Sequence, residues 1–410
     1  MSVYRPFIRF YADLTWNDGF QLSLTKARNT YKASRLIQHG RLGIQMKALV
    51  LAGGYATRLR PLSFTKPKLL FPIAGQPMLE RTLSTFARIG VDNVILAVNY
   101  MADELKAYFG SHYRNIRIQY SRESQPLGTG GPIRLARKLI GSRDPFLAMN
   151  GDILFDGNLS SMLDKHKKEE PVATIAVHAV ADASRFGLVN VDDSMWVSSF
   201  LEKPSGESPV KGLINAGIYI MSPAIFDYIP PGRKISVERD VFPTLAKEGK
   251  LLGYELDGYW TDIGTIHDYL ETNFSFLKMK SSDTPIIEKP TSVSNNAILK
   301  PPCLVAKNAV IEDNAVVGPL TVVGRGSVIE DGARVEKSVL FDDTRIGKNS
   351  IVSGSVIGDG SRLLNDVILG EGTVLAAGVT VSAAVRLGGG VNVCPHKHIT
   401  QCISGPANIL

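Results

Sequence analysis

The sequence predicts an α/β domain built on a mixed, mainly parallel sheet, followed by a parallel β-helix of hexapeptide repeats. Strand-like apolar runs alternate with amphipathic helical ones from Met46 to about Leu277, the pattern of a sheet covered by helices on both faces. Aliphatic residues then recur every six positions, as Val305, Ile311, Val317, Val323, Ile329 and Val335, and again as Ile357, Leu363, Leu369, Leu375, Val381 and Leu387. A six-residue aliphatic period puts one apolar side chain inside each side of a coil, which is the mark of a β-helix. The chain has 410 residues, 44% of them hydrophobic and 21% charged, enough for two cores of ordinary soluble composition.

In the first domain, strands are expected over Lys47–Ala52, Asn93–Asn99, Ile116–Tyr120, Phe146–Asn150, Val172–Val180 and Leu213–Met221. Helices are expected over Met78–Ile89, Ala102–Phe109 and Ile133–Ile140, each followed at once by a glycine (Gly90, Gly110, Gly141) that suits a helix C-terminus. Ligands of such sheets gather at the carboxyl ends of strands. Gly53-Gly54 and Asn150-Gly151-Asp152 both follow strands directly, so they are expected to meet at that edge.

The expected organisation is an extension over 1–45, a first domain over 46–280, a linker over 281–300 and a β-helix with its tail over 301–410. The two aliphatic runs are out of register by a non-multiple of six, which predicts an irregular loop near Phe341–Ser350. His396 and His398, the only histidines of the second domain, are expected in a terminal tail.

Charge and cysteine usage exclude several classes. Residues 1–45 carry +5 of the net charge of +7, so the remainder is nearly neutral and has no basic surface of the kind that binds nucleic acid. No apolar run approaches a membrane-spanning length. Three unpatterned cysteines, Cys303, Cys394 and Cys402, point to a reducing compartment, hence the cytoplasm. The extension has neither a cleavage site nor an apolar segment of signal-peptide type and is expected to be dispensable.

The chemistry is concentrated in Leu51–Pro72. An apolar run ends in Gly53-Gly54, and Arg58, Arg60, Lys66 and Lys68 follow. Paired glycines let backbone N–H groups approach an anion, and Arg and Lys then meet phosphate oxygens. No Gly-Lys-Ser/Thr opens a helix here, so this is not a Walker A loop. Alone, the stretch would be a glycine turn with a solvated basic loop. Glu123–Gly131, with Gln125, Pro126, Gly128 and Thr129, is a polar, glycine-rich loop before a helix and suits the edge of a base or an anion. Asp152 in Asn150-Gly-Asp and Asp262 in Trp260-Thr-Asp-Ile-Gly264 are carboxylates at strand or loop ends. Two such groups with phosphates suit Mg²⁺, although either alone is more often a cap. Glu202-Lys203-Pro204 and Asn215-Ala-Gly217 offer groups for sugar hydroxyls and a sugar phosphate, and separately each would be surface.

In this order, the motifs resemble the sugar-1-phosphate nucleotidyltransferase family, and within it most of all the mannose-1-phosphate guanylyltransferases. Ile235–Pro243 and Pro395-His396-Lys397 add to the likeness, which covers all but residues 1–45. Two positions depart from the pattern: Ala56 replaces a glycine of the signature, and Gly151 stands where some relatives carry serine. The resemblance implies a Rossmann-like nucleotidyltransferase domain and a left-handed β-helix. It implies transfer of a nucleotidyl group from an NTP, GTP first, to a sugar-1-phosphate, mannose-1-phosphate first, with release of pyrophosphate. A glucose-1-phosphate uridylyl- or thymidylyltransferase is the alternative within the class. Outside it stand a non-catalytic regulatory subunit, disfavoured by intact Arg58, Lys68, Asp152 and Asp262, and a β-helix acyltransferase, for which only His396 or His398 would serve as base.

By the same resemblance, Leu51, Ala52, Gly53 and Gly54 with Gln125, Pro126, Gly128 and Thr129 bind the nucleotide, Arg58 and Lys68 act on its phosphates, and Gly187, Glu202, Lys203 and Asn215 bind the sugar phosphate. Asp152 and Asp262 hold Mg²⁺. The expected partners are the two small-molecule substrates and further copies of the chain through the β-helix, with no nucleic acid and no membrane. A chain beginning at Met46 is expected to fold and turn over like the full-length protein; loss of solubility or activity on that truncation would show that residues 1–45 support the enzyme.

Overall fold

The computed structural model describes residues 46–157, 159–202 and 211–410. The expected extension over 1–45 and the candidate Lys203 lie outside these described residues. The α/β lobe contains strands β1 (Met46–Leu51), β2 (Pro72–Ile73), β3 (Gln76–Pro77), β4 (Val91–Val98), β5 (His112–Tyr113), β6 (Ile116–Arg122) and β7 (Phe146–Asn150). It continues with β8 (Ile153–Phe155), β9 (Ala173–Val180), β10 (Gly187–Val191), β11 (Val197–Glu202), β12 (Gly212–Met221), β13 (Leu251–Glu255) and β14 (Trp260–Asp262).

The main sheet runs β11-β10-β12-β7-β1-β4-β6-β5, with β9 and β13 joined beside β12. Its centre is parallel: β1 lies between β4 and β7, with Leu49 opposite Ile95 and Ala148. β12 runs antiparallel to β7. The sheet is therefore mixed, as expected of a Rossmann-like nucleotidyltransferase domain. Central strands buried on both faces read as continuous apolar runs, and Ala48, Leu49 and Val50 are fully buried. The helix Met78–Arg88 buries Met78, Leu79, Leu83 and Phe86. The helix expected over Ile133–Ile140 begins earlier, at Gly130, and breaks at Ala136 (φ −73°, ψ −4°) into Gly130–Leu135 and Arg137–Ile140.

The second lobe is a left-handed parallel β-helix with three faces. The first face begins with Ile286–Ile287 and ends with Ala407–Ile409. The second runs from Ser292–Val293 to His398–Ile399, and the third from Ile298–Leu299 to Arg386–Leu387. Two expectations are corrected here. Residues 281–300 are not a plain linker, because Ile286, Ser292 and Ile298 pair with Leu304, Val310 and Val316 and so build the first coil. No irregular loop breaks the pattern at Phe341–Ser350 either. Coils of 18 residues (Ile286 opposite Leu304) give way to coils of 17 (Val322 opposite Val339, Val339 opposite Val356) before 18 returns (Val356 opposite Val374). The register resets through two five-residue steps, Val335 to Leu340 and Val352 to Ile357, at the same corner of successive coils.

Corners carry left-handed backbone at positions such as Asn308 (φ 62°), Asn314 (φ 55°), Gly326 (φ 67°), Asp343 (φ 58°), Asn349 (φ 56°) and Gly360 (φ 66°). Only Gly, and less readily Asn and Asp, take this region at small cost, so these types recur at the turns. His398 is also placed differently from expectation: it sits in the last strand of the second face, opposite Thr380, while His396 occupies a left-handed corner (φ 60°).

The lobes share one apolar core. Leu304, Val322, Val339, Val356 and Val374, which point outward from the first face, belong to the same cluster as Phe71, Leu79 and Tyr269. Phe341 lies 5.5 Å from Phe71 and 6.1 Å from Tyr269, centroid to centroid, and all three rings are fully buried. A chain cut near Pro290 would bare these rings.

His166 supplies a pH signature for the α/β lobe. Its imidazole is buried between the hydroxyls of Thr174 and Ser222, at 2.8 and 2.9 Å, and burial lowers its pKa from 6.5 to about 4. Unfolded chains take up this proton near pH 6.5 and the native state only near pH 4, so His166 supports the fold fully above pH 6.5 and loses that support as pH falls toward 4. Thermal unfolding of His166→Gln should therefore show a shallower decline between these values than the parent chain does; an unchanged slope would refute the assignment.

Candidate active site

A cleft of about 480 Å³ opens at the carboxyl ends of the parallel strands, lined by Leu51–Leu59, Lys66–Leu69, Pro126–Thr129, Asn150, Asp152 and Gly264 among others. Its floor is set by β1 and β7: Leu51 lies opposite Asn150, and the Gly151 amide donates to the Leu51 carbonyl at 3.0 Å. A Cβ on Gly151 would sit 2.7 Å from that oxygen, so glycine is what lets the two loops meet. A Cβ on Gly53 would lie 3.2 Å from both Asn99 Cβ and Glu123 Oε2, whereas one on Gly54 would meet nothing within 4 Å. Gly53 is thus a packing glycine, and Gly54 leaves its backbone open to the cleft.

Ala56 takes the left-handed conformation (φ 46°, ψ 45°) just before the short helical turn Thr57–Leu59 that carries Arg58. Its carbonyl accepts from the Leu59 amide at 3.0 Å and from the Ser63 hydroxyl at 2.9 Å. The departure from the signature glycine is accommodated, with the conformational strain a Cβ brings there.

Four candidate residues converge. β14 pairs with β8, placing Asp262 opposite Ile153, and the Ile263 amide donates to the Asp152 carbonyl at 3.1 Å. Asp262 is thereby set beside Asp152, although the two lie far apart in sequence. The Lys68 ammonium donates to Asp152 Oδ2 at 2.8 Å. Burial, and then the charge of Asp152, raise the Asp262 pKa to about 6, against the opposing pull of Lys68 and Arg58. Asp262 Oδ1 is buried without a hydrogen-bond partner. A buried, unsatisfied carboxylate oxygen next to a second carboxylate is the environment a hard divalent cation relieves. A Cβ on Gly264 would lie 3.0 Å from Arg58 Nη1, so this glycine lets the guanidinium rest against backbone.

The loop Glu123–Gly131 is braced from behind. The Gly130 amide donates to the Ile235 carbonyl at 2.8 Å and the Ile235 amide to the Leu127 carbonyl at 3.0 Å. At Gly128, with φ 76°, a Cβ would collide with the Ile235 oxygen at 2.3 Å. Pro126, Gly128 and Thr129 line the cleft, yet the Thr129 hydroxyl is engaged behind it, donating to Glu238 at 2.5 Å and accepting from the Val237 amide at 3.0 Å. Gln125 is exposed and is not among the lining residues. The sequence motifs do not single out Glu123, nor Glu238, which braces Thr129 from behind. Glu123 lines the cleft, and burial raises its pKa; its signal was a carboxylate opening the loop.

Gly187, Glu202 and Asn215 form a row across the sheet, the first two at the ends of β10 and β11 and the third within β12. Gly187 pairs with Glu202, and Leu188 with Ile214. A Cβ on Gly187 would sit 2.8 Å from Glu202 Oε2. These three are not among the cleft-lining residues. Asn215 is partly committed within the protein, accepting from the Gly217 amide and donating to the Tyr219 hydroxyl, both at 3.0 Å. Gly217 connects the row to the cleft, since a Cβ there would lie 2.9 Å from Asn150 Nδ2.

Residues 47–278 match the nucleotidyl transferase family and residues 299–409 the GMPPB C-terminal domain. The chain belongs to the nucleotidyltransferase family. It is 36% identical over 376 residues to the mannose-1-phosphate guanyltransferase of Aspergillus oryzae, covering 89% of this chain and 100% of that protein. It is 37% identical over 370 residues, with the same coverages, to the Xenopus tropicalis mannose-1-phosphate guanylyltransferase catalytic subunit beta. Among solved structures, HddC from Yersinia pseudotuberculosis has 30% identity and a TM-score of 0.50, covering 56% of this chain and 99% of its own. A UDP-glucose pyrophosphorylase complexed with UDP-glucose, at 24% identity and a TM-score of 0.51 over 57% of this chain and 98% of its own, shares the fold. Nucleotidyltransferases of this family generally use a divalent metal. Among the described residues, no helix is long and apolar enough to cross a membrane.

The left-handed Ala56 gives a stability prediction. Ala56→Gly should stabilise the chain by about 1 kcal/mol, since only the alanine is strained at positive φ. Denaturant titration of both proteins measures this, and a destabilised glycine variant would contradict it.

Proposed function

We infer that the chain transfers the guanylyl group of GTP to mannose-1-phosphate, giving GDP-mannose and pyrophosphate. The observation that carries this reading is likeness along the whole length of relatives named for that reaction, joined to a cleft lined by Arg58, Lys68 and Asp152, with Asp262 set beside Asp152. In-line attack of the sugar phosphate oxygen on the α-phosphorus needs alignment and charge neutralisation more than covalent help.

Gly53 and Gly54 lead the phosphates into the cleft by backbone, Arg58 takes the β- and γ-phosphates, and Lys68 serves the α-phosphate. Leu51 and Ala52 form the floor, and the Pro126–Thr129 stretch meets the base through its main chain. Gly187, Glu202 and Asn215, with Lys203, hold the sugar phosphate. Asp152 and Asp262 would hold Mg²⁺, whose charge would offset that of the phosphates. Lys68, bonded to Asp152 in the structure, orients that carboxylate. The protein acts in the cytoplasm as a homo-oligomer joined through the β-helix. Three cysteines without disulfides support the compartment, and exposed Ile298 and Ile351 on the third face of the β-helix support the assembly.

Pyrophosphate release over a grid of four nucleotides and several sugar phosphates should be greatest with GTP and mannose-1-phosphate; a preference for UTP or dTTP with glucose-1-phosphate would overturn the substrate reading. Asp262→Asn and Asp152→Asn should each lower turnover by roughly a hundredfold or more while the unfolding midpoint holds. Near-normal turnover of either variant at limiting Mg²⁺ would remove that residue from the metal site.

A further inference from the structure

Lys66 is a cation of the cleft wall that the proposed function leaves without a task, and its partner comes from the other lobe. Its ammonium donates to Asp359 Oδ1 at 2.8 Å and lies 5.2 Å from the centroid of the Phe341 ring. Both partners belong to the β-helix. Lys66 is two residues from Lys68, whose ammonium holds Asp152, and the turn Lys68–Leu70 follows directly.

Asp359 is fixed by the coil rather than by the α/β lobe. Its carbonyl accepts from the Gly378 amide at 2.8 Å, and the next residue, Gly360, donates to the Asp342 carbonyl at 3.0 Å. Gly358 before it has no room for a side chain, since a Cβ would lie 2.7 Å from the Ala376 carbonyl carbon. The aspartate thus stands on a backbone tied to the coils above and below. Phe341 is anchored as firmly, fully buried against Phe71 and Tyr269. A lysine has four rotatable bonds and little intrinsic preference for one position. Here a carboxylate at one side and an aromatic ring at another restrict it.

We propose that Asp359 is a positioning residue for nucleotidyl transfer: from the β-helix it holds the Lys66 ammonium at the cleft wall, where the cation serves the phosphates of the bound nucleotide. The β-helix is then a working part of the catalytic cleft as well as a means of assembly. The pair is partly exposed, with side-chain exposures of 25% for Lys66 and 31% for Asp359, so its worth to folding alone is small. Its effect belongs in nucleotide handling, by restricting where a mobile charge spends its time.

The proposal rests on the nucleotidyl transfer assigned above, so the full-length parent chain is assayed first and its best nucleotide is used throughout. A parent without turnover on any nucleotide refutes the functional reading, whatever the variants do. With an active parent, Asp359→Asn should raise KM for the nucleotide by roughly three- to tenfold, the scale of one misplaced cation at a phosphate. KM for the sugar phosphate and the unfolding midpoint should stay near parental values. Asp359→Glu should recover part of the loss. In a Lys66→Gln background, Asp359→Asn should add nothing, because no cation is left to position. An unchanged nucleotide KM in Asp359→Asn overturns the proposal. So does a full additional loss in the Lys66→Gln background, which would assign Asp359 a role independent of Lys66.

Discussion

The site depends on one constraint, the parallel seating of β1 between β4 and β7. With Leu51 opposite Asn150, the chain leaves both strands at the same height, and the contact of the Gly151 amide with the Leu51 carbonyl draws the two exits together. Gly53-Gly54 and the first carboxylate are then neighbours whatever the intervening residues do. A second, smaller constraint adds the other carboxylate: the β8–β14 ribbon brings Asp262 alongside and leaves its Oδ1 buried and unsatisfied. An arrangement that buries such an atom is stabilised by a cation and strained without one, which is why the geometry bears on chemistry as well as on folding.

The β-helix is built into this lobe more deeply than a tethered module. Its first face contributes aliphatic side chains to the core that holds Phe71 and Tyr269, so one side of the three-sided coil is spent within the chain. No strand of the other two sides contributes to that core. Most corners of the β-helix carry Gly, Asn or Asp, and the two five-residue steps fall at Lys337 (φ 47°) and Gly354 (φ 57°), keeping the interior aliphatics stacked while each of those coils is one residue shorter.

Legibility in the sequence followed the strength of local signals. The central strands were readable because double burial leaves unbroken apolar runs, and the interior of the β-helix because its period is strict. The first coil was read as linker because Pro285 and Pro290 and the polar residues around them mask its short aliphatic pairs, as is common for a terminal repeat. The two shortened coils looked like an irregular loop because a period count registers a lost residue without locating it. β8 and β14, three residues each, carry too little pattern to announce themselves, although the motifs they carry were visible. Which side chains face the cleft was less accessible still. Thr129 lines the cleft while its hydroxyl is bonded to Glu238 behind it, and nothing local to Asp359 points to Lys66, a contact made only by the docking of two lobes.

The β8–β14 ribbon also bears on the order in which the protein is made. Coils of the β-helix close over fewer than twenty residues, and such near neighbours meet quickly, whereas Ile153 must wait for Asp262 and the loop between them must close. On a ribosome, Asp152 is exported long before its companion carboxylate exists. The Asp152–Asp262 pair is therefore among the last parts of the α/β lobe to be completed, and a chain that has acquired it has already brought most of that lobe together.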